Sequence, residues 1–350
     1  MKTDHIIILR FSALGDVAMA VPVVASLAAQ YPKLRISFVS RPMVRPLFQG
    51  LAPNVEFMAA DVSDEYHGVR GLNALYRRLV AKHPTAVADL HDVLRTKYLR
   101  HRFALEGFKV AHIDKHRQGK SRLCARKNKV LVQQPTSFAN YADVFAELSY
   151  PVTLSFTSIF PPGGADLSPI ADRIGDKGAQ EVWIGIAPFA AHAGKVYPKA
   201  KMRRLIHLLS ERHPSWRLFL FGGGGSEREQ LMAWAEDFPQ AQCVGTVLHS
   251  LDEELTLMSH LDVMVSMDSA NMHLASAVAT PVVSVWGATH PFAGFMGWGQ
   301  PAENAIQMDD LPCRPCSVYG NAPCQRGDFA CMENILPERI AQRVEEIVVR

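Results

Sequence analysis

Short apolar runs alternate with longer helical patterns along almost the whole chain. In the first half, the runs His5–Leu9, Arg35–Val39, Val55–Met58, Ala86–Asp89 and Lys109–Ile113 predict strands. Helical patterns begin between them near Asp16, Pro42, Leu72 and Arg95, and Phe138 to Leu148 predicts one more helix. Phe160-Pro161-Pro162-Gly163-Gly164 then breaks the pattern as a linker would. The alternation restarts with strands at Val182–Ala187, Arg217–Phe221, Val263–Ser266 and Val282–Trp286. Helices are expected from near Lys201, Ser226, Asp252 and Ser269, and an amphipathic helix, Pro337 to Val349, closes the chain with proline in its first turn. Strands regularly separated by helices predict parallel α/β architecture. Two such series predict two nucleotide-fold domains facing each other across a cleft, with the boundary between Phe160 and Gln180.

Length agrees with that division, because 350 residues are comfortable for two domains. Hydrophobic residues make up 48% and charged residues 20%, which excludes a disordered chain. A net charge of +3 is too weak to argue for nucleic acid. Its distribution changes the picture more: Lys109 to Lys129 is dense in Lys, Arg and His and nearly free of acids. That stretch can hold a phosphorylated or acidic lipid acceptor, or it is simply a solvated basic loop. The N-terminal residues lack the pattern of a secretory signal. The longest apolar stretch, Val17 to Ala29, contains Pro22 and is far short of a membrane span. A cytoplasmic protein, at most peripheral to the inner membrane, is the expectation.

Four segments carry candidate chemistry. Gly15-Asp16 follows the first strand; Gly15 permits a tight turn and Asp16 would cap a helix beginning at Val17. The alternative to a mere cap is a carboxylate at the open end of the first strand, placed to act as general base toward a hydroxyl. After Val263–Ser266, Asp268 or Ser269 caps a helix whose free N–H groups form an anion site, with His273 one turn along. The loop Pro188 to Pro198 carries Lys195, which can deliver a point charge to a phosphate or stand in solvent. Gly222-Gly223-Gly224-Gly225 lets a ligand approach the backbone, and Glu227 or Glu229 after it could take a ribose diol.

Together these segments resemble glycosyltransferase family 9, the bacterial heptosyltransferases of lipopolysaccharide core synthesis. Ile7–Val17 looks like the family's N-terminal signature, and Asp89 to Thr96 resembles its acceptor-side strand-loop segment. Lys195-Val196-Tyr197-Pro198 is similar to its Lys-x-aromatic-Pro motif; Asp268 through Pro291 looks like its donor signature. The resemblance implies a GT-B fold, with residues 1–165 as an acceptor-binding domain and 166–335 as a nucleotide-sugar domain. It implies that a last helix, 336–350, packs back on the first domain. It further implies inversion at the anomeric carbon without a metal, an ADP-heptose donor and a glycolipid or glycan acceptor. Asp16 then matches the base, and Lys195 matches the residue that neutralises the diphosphate. Asp268, Ser269, Ala270 and His273 match contacts to the donor's phosphate and sugar, and His249 falls where a backbone group meets adenine. Glu227 is assigned to the donor side; Ser12, Gly15, Arg95, Lys120 and Arg122 are assigned to the acceptor side. Ala270 stands where the family often has glycine.

Cys313, Cys316, Cys324 and Cys331 hold four of the six cysteines. Their clustering predicts either a structural zinc or reduced thiols packing a loop-rich cap; no cofactor is expected for catalysis. Two rival functions stay open. A sugar-nucleotide 2-epimerase would share the donor site but need no acceptor. A non-enzymatic nucleic-acid binder would use the basic stretch and show steep salt dependence.

Overall fold

The computed structural model describes residues 4–349. Its contacts divide the chain into two units: one runs up to Lys115 and adds Pro135–Ile159, the other takes His116–Gln134 and everything from Phe160. The division at Phe160 opens the predicted linker. Residues 116–134 are a departure from the expected 1–165 domain, because the chain enters the second unit there and then returns.

In the first unit, β1 (His5–Leu9), β2 (Arg35–Ser40), β3 (Val55–Ala59), β4 (Ala86–Asp89) and β5 (Lys109–His112) form a sheet of order β3-β2-β1-β4-β5. Every neighbouring pair is parallel. β1 is buried along its whole length, which is why it reads as an unbroken apolar run rather than an alternating one. On one flank the helix Gly68–Val80 buries Leu72, Leu75, Tyr76 and Leu79, one stripe at helical spacing. Tyr76 meets Phe103 of the helix Leu94–Leu105 with ring centroids 4.7 Å apart. Fully burying a side chain such as Leu75 contributes about 1.5–3 kcal/mol. The strand order reverses direction between β1 and β4, so the loops leaving these two strands frame the unit's open crevice.

The second unit repeats the logic with one more strand. β6 (Trp183–Ala187), β7 (Arg217–Leu220), β8 (Ala241–Cys243), β9 (Val263–Met267), β10 (Val282–Trp286) and β11 (Ala305–Gln307) lie in the order β11-β10-β9-β6-β7-β8, again all parallel. Here the reversal falls between β6 and β9, with Ala187 opposite Ser266. The two loops singled out in this half, Pro188–Pro198 and the turn at Asp268, leave those two strands.

Two local features differ from expectation. β8 and β11 are edge strands of three residues each, too short to leave a pattern. Residues Arg117–Leu123 of the basic stretch form a helix, not a loop. The closing helix spans Pro337–Val348. Its buried Ile340, Ala341 and Val344 belong to the second unit's core with Leu205, Leu209, Val283 and Val285. An apolar stripe on an amphipathic helix must be covered, and here its own unit covers it. Among the described residues no helix is long and apolar enough to cross a membrane.

Candidate functional site

The first unit gathers its polar groups at the carboxyl ends of β1 and β4. The helix after β1 spans Leu14–Gln30, so Asp16 is not the residue before a helix starting at Val17. It sits in the first turn and reaches back, accepting the Ala13 N–H at 3.2 Å. Its carboxylate also pairs with the Arg10 guanidinium at 2.6 Å. Arg10 is buried and donates to the Leu90 carbonyl at 2.5 Å, so it is a fixed post rather than a surface cation. The Asp16 side chain keeps 34% exposure, enough for a hydroxyl to reach it. Tyr141 donates to the Asp16 backbone carbonyl at 3.2 Å, holding that turn from the helix Ser137–Glu147.

From β4 comes a second set. Asp89 is fully buried and accepts the N–H groups of His91 and Asp92, both at 2.9 Å, shaping the turn; Arg100 pairs with it at 3.2 Å. His91 lies across the turn after β1, its Nδ1 accepting the Phe11 N–H at 3.4 Å and its Nε2 facing Ser12 Oγ at 3.3 Å. Burial pushes its pKa down to about 3, helped by the charges of Arg10 and Lys115. His91 is therefore a neutral hydrogen-bonding group at working pH. Ser12, Gly15 and Asp16 thus come together with Arg10 and His91. Arg95 is exposed in the first turn of the next helix, with its charge felt at His91. Arg10 and His91 were missing from the sequence-based site. Their positions, one residue after β1 and two after β4, were the available signal.

The second unit builds its set at the β6/β9 reversal. Lys195 ends a short turn, Ala193–Lys195, and its Nζ pairs with Asp268 at 2.8 Å. Asp268, just past β9, is 3% exposed and Lys195 15%. Ser269 precedes the helix Ala270–Ala277 in extended conformation, and its Oγ faces Ser266 Oγ at 3.3 Å instead of capping the helix. The first-turn N–H groups of that helix receive no cap from the Ser269 side chain. A helix N-terminus beside a fixed lysine is suited to a diphosphate. His273 is buried on the same helix, one turn further in.

Glu227 lies in the first turn of Ser226–Asp237 and accepts the Gly223 N–H at 2.8 Å, which pins it across the glycine run. The backbone N–H of His249 is used by Glu253 at 2.7 Å, so any contact from this backbone to a base would come from the carbonyl. After β10, His290 accepts the Phe292 N–H at 3.0 Å, and burial followed by the Arg314 charge lowers its pKa to about 4.

One placement differs from the expected domain boundaries. Lys120 and Arg122 fall in the second unit, not in the first. Lys120 is buried with its ammonium 4.3 Å from the Phe295 ring centroid, while Arg122 is exposed. Lys129 donates to the carbonyls of Cys313 and Pro315 at 2.9 and 2.8 Å, so part of the basic stretch braces the cysteine loop. Among the described residues no group of three or more His, Cys, Asp or Glu side chains is arranged to hold a metal. Cys331 is buried beside the second unit's hydrophobic core, and burial pushes its thiol up to about 11. The cysteines are free.

Comparison with known proteins follows the same lines. The profile of glycosyltransferase family 9 (heptosyltransferase) matches residues 72–323. The chain is 27% identical over 167 residues to lipopolysaccharide heptosyltransferase 1 of Pseudomonas aeruginosa, a match spanning 44% of this chain and 45% of that enzyme. Among solved structures it is similar to a family 9 glycosyl transferase from Veillonella parvula, with TM-score 0.75, 17% identity and coverage of 100% and 99%. It is similar as well to the E. coli heptosyltransferase WaaC with ADP, at TM-score 0.66, 19% identity and coverage of 98% and 99%. WaaC has also been solved with ADP-2-deoxy-2-fluoro heptose. These likenesses establish the GT-B fold.

Proposed function

The chain belongs to glycosyltransferase family 9, and from that premise we propose that it is an inverting, metal-independent heptosyltransferase. It takes heptose from ADP-heptose and joins it to a lipopolysaccharide-core or related glycan acceptor. The observation that carries the donor assignment is the Lys195–Asp268 pair, set at the strand-order reversal beside the N-terminus of Ala270–Ala277. The ADP named with WaaC supports the same choice of nucleotide.

In this reading Asp16 accepts the proton of an acceptor hydroxyl as that oxygen attacks the anomeric carbon. The bond from carbon to the diphosphate oxygen breaks on the opposite face, and ADP departs. Arg10 and the Ala13 N–H aim the carboxylate. Lys195 and the first-turn N–H groups after Ser269 take the charge that grows on the diphosphate. Asp268 orients Lys195, and Glu227 is placed for the ribose. His273 and Ala270 contact the sugar-phosphate end, and the His249 carbonyl faces adenine. Ser12, Gly15 and Arg95 line the acceptor side from the first unit, and Lys120 and Arg122 are assigned to it from the second.

A panel of ADP-, GDP-, UDP- and dTDP-sugars in thermal-shift assays tests the donor, since a ligand of the folded state raises Tm. Stabilisation by ADP-heptose above the others is expected. Preference for a UDP-sugar, with conversion of that sugar in the absence of acceptor, would instead establish the epimerase reading.

A further inference from the structure

We propose that Gly320, presented by the Cys313–Gly320 loop, is a positioning residue that sets the path of the Lys195 side chain; this rests on the diphosphate role given to Lys195 above. Gly320 is buried and lies at φ +77°, a conformation that side chains rarely adopt. A Cβ built on it would stand 2.6 Å from Lys195 Cγ, 3.2 Å from Cε and 3.3 Å from Cδ. The lysine stem therefore runs directly over this glycine before its ammonium reaches Asp268.

The loop is tied to the lysine's own backbone by a ladder. Ala288 donates to the Gly194 carbonyl at 2.8 Å. The Ala288 carbonyl in turn accepts Cys316 N–H at 3.0 Å and Ser317 N–H at 3.3 Å. Ser317 Oγ then accepts the Gly320 N–H at 3.0 Å. A Cβ on Gly194 would be 2.8 Å from the Gly320 carbonyl oxygen, so the two backbones are in close contact as well. Arg314 anchors the start of the loop: buried, it donates to the carbonyls of Gly287 at 2.5 Å, Thr289 at 2.9 Å and Met308. A lysine with four flexible torsions loses much freedom when its end is fixed. A groove that pre-sets the stem removes that cost at the moment the diphosphate binds.

Gly320→Ala should weaken ADP binding and lower kcat about ten- to hundredfold, the scale of a charged group displaced by about an ångström. The acceptor KM should not change. Gly327→Ala is the control: Gly327 also has positive φ, +79°, but a Cβ there meets nothing within 4 Å. It should match the wild type in ADP affinity and kcat. In a Lys195→Ala background, Gly320→Ala should cause no further loss, because alanine lacks all three atoms that the new Cβ would strike. Equal losses with and without Lys195, or an unchanged ADP affinity in Gly320→Ala, would overturn the proposal. Should Gly320→Ala not fold, Ser317→Ala loosens the same turn and must show the same dependence on Lys195; its absence overturns the proposal equally. If Lys195→Ala weakens ADP and Gly320→Ala does not, only this inference falls. If Lys195→Ala itself leaves ADP binding intact, the donor-site reading falls with it.

Discussion

Replacing Lys195 with alanine should produce two effects that can be separated. The first is on the empty protein. Asp268 is 3% exposed and its ammonium partner stands 2.8 Å away. Removing one member of a buried pair costs about 3–5 kcal/mol, because a charge is left without compensation. Lys195 keeps 15% exposure, so water already reaches the pair and the lower end applies, about 3 kcal/mol. For a unit of about 200 residues that is a fall in Tm of roughly 6–12 °C. The second effect is on the donor. Losing a charge-assisted phosphate contact costs about 1.5–3 kcal/mol, or about ten- to hundredfold in ADP affinity. Scanning fluorimetry without ADP reads the first, and titration calorimetry with ADP reads the second. The double variant Lys195→Ala/Asp268→Asn should recover much of the Tm, since the unpaired charge is gone, and none of the affinity. Recovery of both by the double variant would mean that Lys195 acts only through Asp268. An unchanged Tm with wild-type ADP affinity would refute the site altogether.

Three further outcomes are expected. Asp16→Asn should fold and bind ADP as the wild type does while losing turnover by about a hundredfold or more, the scale of general-base loss; near-normal turnover would reduce Asp16 to a helix-turn residue. His91 has a folded pKa of about 3 against 6.5 unfolded, so the unfolded chain binds the extra proton between these values. Its contribution is complete above pH 6.5 and is lost as pH falls toward 3, by up to about 1.4 kcal/mol per pH unit; urea melts of His91→Gln should show a shallower acid limb, and an identical limb would contradict the assignment. Transfer should persist in EDTA, because Lys195 and backbone N–H groups carry the charge that a metal would otherwise hold; a strict need for added Mg²⁺ or Mn²⁺ would overturn that.

The main strands were legible because a parallel strand covered on both faces must be apolar throughout, as Ile6-Ile7-Ile8 and Val263-Met264-Val265 are. Strand order was not, since nothing local in β9 says that it will lie beside β6. Yet that adjacency is what brings Asp268 to Lys195 across 73 residues of sequence. Asp16 was visible as a glycine-linked carboxylate after β1, but its partner Arg10 reads as an ordinary loop cation until burial is known. Charge density does not report the burial of Lys120: periodicity there is too short to reveal a helix, and the side chain turns onto Phe295. Cysteine spacing likewise does not report that Cys331 is buried beside the core.

The measurement that tests the account most directly is the anomeric configuration of the new glycosidic bond. Product made from ADP-heptose and a lipopolysaccharide-core acceptor would be examined by NMR through the one-bond carbon–hydrogen coupling at the transferred sugar. Direct displacement, with Asp16 taking the proton of the attacking hydroxyl and Lys195 supporting the departing ADP, predicts a configuration opposite to that of the donor. Retained configuration would contradict it, since retention needs either a second displacement or attack from the face that ADP leaves.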